Sequence, residues 1–343
     1  MILVAATLFG GMWLHADPLY GAPPRILRAG IIGCDAHALS WTKILNAPDA
    51  KGKLREMKIV AAVAGGSEDI PKSIELRNAQ VEPLKRLGVE FVDTIEELLP
   101  KVDVVLILSI DGRRHLDEAR KVFAAGKPVF IDKPIAASLA DAMVIFDLAK
   151  KHDVPCFSSS SLRFAKRTLH IRDDPKLGDV VGCDQYAPCP LEPHHPDFFW
   201  YGIHGVEPLF TIMGTGCARV TRVHSEGTDV AVGVWKDGRI GTVRGIRQGR
   251  RGYGSTVYGT KGIVPGGGFD GYEPLIEAIV TFFQTGKSPV PAAETLEILA
   301  FMEAADESRQ QGGRPVTIES VMKKARQAAD ARLAQLEHTD QAN

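Results

Sequence analysis

Two short stretches hold most of the chain's chemistry. In the first, Val129-Phe130-Ile131-Asp132-Lys133-Pro134, an apolar run of strand length ends in an ion pair and a proline. A lysine at the carboxyl end of a buried strand points out of the sheet, where partial burial disfavours the charged form of an amine. Such a group can donate a hydrogen bond to a hydroxyl or carbonyl oxygen, or pass a proton. Pro134 fixes φ and the exit direction of the chain. The second stretch, "LEPHHPDFFWYGIHGVEPLF", carries His194, His195, Asp197, Tyr201, His204 and Glu207. Tyr201, His204 and Glu207 recur at helical spacing and fall on one face. A Tyr–His pair supplies a phenol donor and an imidazole base near neutral pH. His194, His195, Asp197 and His204 would suit zinc or manganese by donor type. Adjacent His-His-Pro-Asp seldom aims every side chain at one point, so acid–base catalysis is preferred and no metal is expected.

A third stretch suggests a nucleotide site. Gly33-Cys34-Asp35-Ala36-His37-Ala38 follows an apolar run and precedes a helical pattern. A pyrophosphate loop spaced G-x-G-x-x-G needs glycine at the tight turn and small residues where helix meets strand. Gly33 and Ala38 satisfy the first and last positions, whereas Asp35 replaces the middle glycine. Its carboxylate should repel a pyrophosphate unless it turns away to cap the helix, so Asp35→Gly is expected to tighten binding. His37 could offset it by donating to phosphate. After the second strand come Gly65, Gly66 and Ser67, with Glu68 the nearest acid. With no arginine beside them to clamp a 2′-phosphate, NAD is favoured over NADP.

These residues need elements to hold them. "RILRAGIIG", "MKIVAAVAGG", "VDVVLILS", "KPVFID" and "VPCFSSS" are apolar strands alternating with helical patterns, which predicts a parallel sheet covered on both faces. Ligands on such sheets bind beyond the carboxyl ends of the strands. After Ser161 the strands alternate apolar and polar residues, and Asp237-Gly238 marks a hairpin. Two helices, over "YEPLIEAIVTFFQTG" and "AETLEILAFMEAADESRQQG", close the chain. The expected architecture is an α/β Rossmann-type parallel-sheet domain over 25–157, a hinge near Ser158 to Arg163, an α+β domain with a large, mostly antiparallel sheet over 158–325, and a tail over 326–343. Net charge is −1, so nucleic acid is not an expected partner, and "RQGRRG" at 247–252 reads as a solvated hairpin end. Five cysteines without a CxxC pair argue against a zinc ribbon and for free thiols. The opening "MILVAATLFGGMWLHADPLYGAPP" is too short an apolar run to span a bilayer. It is read as a leader over 1–24, with export expected and a cytoplasmic location the alternative.

"HLDEARKVFAAGKPVFIDKPIA" resembles the Gfo/Idh/MocA oxidoreductase family, and Arg163, "YGTKG" at 258–262 and "AETLEILAFMEAADES" sit where that family has similar elements. Asp132 stands in place of the family's usual Glu; with "YGIHGVE", the chain resembles an uncharacterised environmental bacterial subgroup. The resemblance implies that Lys133 is catalytic or substrate-orienting and that Ser109, Ile110, Asp111 and His115 pass the nicotinamide side. It further implies that the helix carrying His204 bears the catalytic histidine, with Arg163, His194, His195, Asp197 and Glu207 toward the substrate, and that the protein forms a dimer or tetramer. Three functions follow: a nicotinamide-dependent dehydrogenase acting on a sugar, polyol or related hydroxyl, a redox-neutral hydrolase or lyase with tightly bound NAD, or a non-catalytic nucleotide- or sugar-binding protein.

Overall fold

The computed structural model describes residues 26–342, so the apolar leader lies outside the described residues. Strands β1 (Leu27–Ile32), β2 (Met57–Val63), β3 (Glu90–Val92), β4 (Val104–Ile107), β5 (Val129–Ile131) and β6 (Cys156–Phe157) form a six-stranded sheet ordered β3-β2-β1-β4-β5-β6. Every pairing is parallel. The strand order reverses between β1 and β4, which places the ligand crevice at their carboxyl ends. Helices α1 (Ala38–Leu45), α2 (Pro71–Arg86), α3 (Ile95–Leu98), α4 (His115–Ala124) and α5 (Leu139–Lys151) make the connections. Because both faces are covered, the strands are apolar throughout, yet they still alternate: Ala29 and Ile31 enter one core and Ile32 the other.

The second half begins with α6 (Lys166–Leu169) and β7 (Val180–Pro188), then α7 (Asp197–Tyr201), α8 (Ile203–Met213), β8 (Cys217–Ser225), β9 (Thr228–Trp235) and β10 (Ile240–Ile246). It continues through β11 (Gly254–Gly259), β12 (Ile263–Pro265), α9 (Glu273–Thr285), α10 (Ala292–Gln310), β13 (Val316–Thr317) and α11 (Ile318–Ala342). Its seven-stranded sheet runs β12-β11-β7-β10-β9-β8-β13. All pairings are antiparallel except β7 with β10. The β9–β10 hairpin turns at Gly238, whose φ of +89° only a glycine adopts without strain.

Three expectations are revised. The basic cluster at 247–252 is no hairpin end, because β7 inserts between β10 and β11 and makes it a crossover loop. Arg250 and Arg251 are exposed there, but Arg247 turns in to pair with Asp229. The tail expected over 326–343 is, as far as residue 342, the body of α11, a third closing helix. It lies on α5 through Ala325, Ala329 and Leu336 and the ion pairs Arg326–Asp147 at 2.7 Å and Lys151–Glu337 at 2.8 Å. Helix α9 also leaves the second half: Ile276, Phe282 and Phe283 pack with Trp41, Phe130 and Phe157 against the parallel sheet. The five cysteines are free.

Candidate active site

Beyond Ile131 the chain leaves the sheet through Asp132 and Lys133, both buried. Asp132 Oδ2 lies 2.8 Å from His37 Nδ1 and 3.8 Å from Lys133 Nζ. Burial alone would push this carboxyl's pKa up, but the charges of His37 and Lys133 outweigh it and hold the pKa well below the usual carboxylate range. His37 does not stand out toward solvent as a free phosphate donor. Its ring stacks on Trp41 at 5.4 Å and meets Tyr272 at 5.0 Å.

From the second half, α8 brings His204 to the same place. The helical spacing puts His204 and Glu207 on its inner side, as expected, with Tyr201 one turn earlier at the end of α7. His204 Nδ1 is 2.9 Å from Ser160 Oγ. Burial, then the charges of Lys133 and His37, push its pKa well below that of a free imidazole, with Asp132 opposing. At neutral pH it is an uncharged proton acceptor. The Tyr201 ring packs on it with centroids 4.6 Å apart, and the Tyr201 hydroxyl is 3.2 Å from that of Tyr253. Burial and Tyr201 raise the pKa of Tyr253, and burial and Asp132 raise that of Tyr272, so both phenols stay protonated. Tyr253, Tyr272 and Ser160 join this group through contacts that no motif announced.

Glu207 and Arg163 are occupied with each other. The carboxylate accepts from Arg163 Nε at 2.8 Å, from Ser160 N at 2.7 Å and from Ser159 Oγ, while Arg163 Nη2 also meets Glu294 at 2.7 Å. This buried cluster ties the hinge to α8, the helix that carries His204. His115 is likewise turned inward. Its ring nitrogens face the carbonyls of Ser109 at 2.8 Å and of Pro134 at 3.1 Å, tying the loop after β4 to the segment that carries Lys133. Ser109 Oγ donates to Glu118.

The glycine loop begins as expected. Gly33 has φ +87°, and a Cβ there would stand 2.5 Å from Ser109 N. Ala38, the first residue of α1, is buried, and that helix starts without a side-chain cap. Asp35 departs from the expectation. Its carboxylate neither faces the crevice nor caps α1: it accepts from Ile110 N at 3.0 Å and from Ser73 Oγ of α2. Replacement by glycine would therefore strand those two donors rather than relieve a repulsion, and the argument that it tightens binding does not hold. Ser67 Oγ donates to Asp111 Oδ2 at 2.6 Å, and Arg113 bridges Asp111 and Asp69. The loop after Gly65 and Gly66 is not without arginine either. Arg77 of α2 reaches Gly65 O at 3.0 Å and Glu68 Oε1 at 2.5 Å.

The histidine-rich cluster is dispersed. His194 is exposed beside Glu192. His195 is buried against Trp200, with Nε2 3.9 Å from Asp111 Oδ1. Asp197 turns to Arg222 and Arg309. Among the described residues no three His, Cys, Asp or Glu side chains are grouped to hold a metal ion. Arg222 is itself a fully buried hub. It donates to Asp229 Oδ1 at 3.0 Å, to Asp306 Oδ1 at 2.5 Å and to Asp197, and lies 4.5 Å over the Phe198 ring.

Whether the crevice suits a dinucleotide is decided by its open valences. His37 Nδ1, both Asp132 oxygens and His195 Nε2 are buried with no aligned hydrogen bond, the close His37–Asp132 approach being an ion-pair contact. All lie around the carboxyl ends of β1, β4 and β5, beside the uncapped start of α1. Buried polar atoms in folded proteins are almost always bonded, so this concentration fits a polar ligand. The uncapped helix start fits an anionic one.

Residues 27–160 match the sequence model of the oxidoreductase family GFO_IDH_MocA, NAD-binding Rossmann fold. Over 141 residues the chain is 27% identical to an uncharacterized oxidoreductase, YhhX, of Escherichia coli strain K12; the match covers 37% of this chain and 40% of that protein. A putative myo-inositol dehydrogenase from Sinorhizobium meliloti superposes with a TM-score of 0.70 at 17% identity, covering 85% of this chain and 99% of that one. The scyllo-inositol dehydrogenase from Lactobacillus casei, solved with NAD(H) and scyllo-inositol, gives 0.67 at 17% identity over 86% and 100%. The family match covers the parallel-sheet domain alone, and the solved structures extend the likeness of fold through the second half.

Proposed function

We propose that the protein is an NAD-dependent dehydrogenase acting on a hydroxyl of a sugar, polyol or related carbohydrate. The observation that carries this reading is the meeting, across the domain seam, of Lys133 and Asp132 from β5 with His204 and Tyr201 from the second half. The uncapped start of α1 would hold the pyrophosphate, the loop at Ser67 and Glu68 the adenosine ribose, and the Ser109–Asp111 loop the nicotinamide side. Bound there, nicotinamide supplies a hydride acceptor.

The remaining steps belong to the chain's own side chains. A substrate hydroxyl in the cleft meets the uncharged His204, whose Nδ1 faces Ser160. In the tautomer that donates from Nδ1 to Ser160 Oγ, Nε2 takes the hydroxyl proton. Lys133 donates to the same oxygen and stabilises charge as it develops. The Tyr201 phenol, aligned by Tyr253, orients a neighbouring hydroxyl. Inositol dehydrogenases among the structural neighbours support a cyclic polyol or sugar.

A redox-neutral cycle, in which a ring hydroxyl is oxidised, the aglycone eliminated and the ring re-reduced, is the second reading, favoured by Tyr201 packed on His204. Self-association through the outer face of the seven-stranded sheet, where Val223, Ile240 and Ile263 are exposed, and export by residues 1–24 belong to the same proposal.

The test is a titration of purified protein with NADH, read by nicotinamide fluorescence, followed by a panel of inositols, sugars and aryl glycosides. Saturable binding and reduced nicotinamide formed from a polyol or sugar are expected. Glycoside cleavage without net reduction would select the second reading, and no binding of either nicotinamide dinucleotide would sink both.

A further inference from the structure

A row of rings leads outward from the seam and ends in water. His37 lies on Asp132, next to Lys133, and the Tyr272 ring meets the His37 ring at 5.0 Å. On its other side Tyr272 meets the edge of Phe269 at 5.1 Å and 68°, a favourable aromatic geometry. Phe269 itself is 47% exposed. The loop that carries it is built rather than slack. A Cβ at Gly266 would overlap Ser255 Oγ, one at Gly267 would stand 2.6 Å from Thr168 Oγ1, and one at Gly268 would stand 3.2 Å from Tyr253 O. Only glycine lets the chain lie that close. Gly266 N donates to Ser255 O at 2.8 Å, and Asp270 accepts from Lys166 N at 2.8 Å. The backbone is thus pinned on both sides of Phe269, and the ring is held out against the tendency of apolar surface to leave water.

Two regions of unlike chemistry therefore lie side by side. The seam offers donors and acceptors in Lys133, His204 and Tyr201, as a ring bearing hydroxyls requires. The flank beyond it offers aromatic surface, and its nearest acid, Asp270, is engaged by backbone. Resting on the carbohydrate-oxidising reading above, we infer that Phe269 and the outer edge of Tyr272 form a subsite for an aromatic aglycone. The substrate is then an aryl glycoside, with its sugar ring at the seam and its second ring against Phe269. Ligand sites commonly combine such an apolar, aromatic lining with a few convergent polar groups.

The measurement is calorimetry on the full chain loaded with NAD, using matched methyl and phenyl glycosides of glucose and galactose in both anomers. Wild type should bind at least one phenyl glycoside about tenfold more tightly than its methyl partner, the order of one aromatic contact. Phe269→Ala should bring that phenyl glycoside down to the affinity of its methyl partner, and Phe269→Tyr should keep the preference. The inference is overturned if no phenyl glycoside outbinds its methyl partner, or if the preference survives in Phe269→Ala. It is overturned equally if Phe269→Ala weakens NADH binding, which would assign the ring to the cofactor. Failure of wild type to bind NADH would instead remove the dehydrogenase reading on which the inference rests.

Discussion

Two clusters of buried charge meet α7 at its two ends, Asp197 in one and Tyr201 beside the other, and they are built on different terms. At the Arg222 hub every arm is used: Asp229, Asp306 and Asp197 take the guanidinium, Arg247 and His224 complete Asp229, and Phe198 N donates to Asp306. At the seam, Asp132 lies between His37 at 2.8 Å and Lys133 at 3.8 Å, and His195 Nε2 has only the looser approach to Asp111 at 3.9 Å. A saturated buried network rigidifies a fold, whereas one with open valences is unfavourable until something fills it. Under the proposed function the hub is architecture and the seam carries the chemistry, and separate variants can break that division.

The largest effect belongs to the seam. Lys133→Met and His204→Ala should each lower turnover by about 10²–10⁴, the range for a lost acid–base group, while leaving NADH affinity nearly unchanged. Their double variant should lose less than the product, because groups on one proton path act as a unit. A fully active Lys133→Met would undo the distinction.

The hub should answer in the opposite way. Arg222→Met leaves three carboxylates without their shared partner and should cost about 3–5 kcal/mol of stability, measured by denaturant unfolding. Turnover per folded molecule should fall far less than for the seam variants, and a silent unfolding curve would show the hub to be dispensable.

The smallest effect is a slope. Burial pushes the Asp306 carboxyl up to about 7 from its ordinary 3.8, with Arg222 pulling the other way. A folded-state pKa above the unfolded one means that the contribution is full below pH 3.8 and fades as pH rises through about 7. Between those limits wild type should lose stability relative to Asp306→Asn. A difference that stays flat with pH would place the proton elsewhere in the hub.

Much of this arrangement is legible in the chain because it rests on short periods. Lys133 stands at the end of an apolar run, and His204 and Tyr201 stand one helical turn apart. The parallel sheet follows from strands with no polar face. Interactions that join distant segments leave no such trace. Tyr253 and Tyr272 reach the cleft from loops, and the partners of Asp35 are 38 and 75 positions away. Arg77 is not announced by the loop's own residues, because its contact with Gly65 crosses the first turns of α2. His115 reads as a ligand by type, yet its ring nitrogens face backbone carbonyls. Helix α11 reads as a tail because its apolar positions are so few: Ile318, Val321, Ala325, Ala329 and Leu336 are its buried apolar side chains.

Helix α9 places a constraint on how the protein is made. The face of the parallel sheet bearing Trp41, Phe130 and Phe157 is covered by Ile276, Phe282 and Phe283, and α5 is covered by α11. During synthesis, all six strands of that sheet leave the ribosome more than a hundred residues before α9 does. The nascent domain must wait with a bare aromatic face, and it is completed only when the carboxyl-terminal helices are released. The parallel-sheet half therefore begins to form before the second half and is finished after it, and a chain cut at the hinge would present to chaperones the surface that α9 was meant to cover.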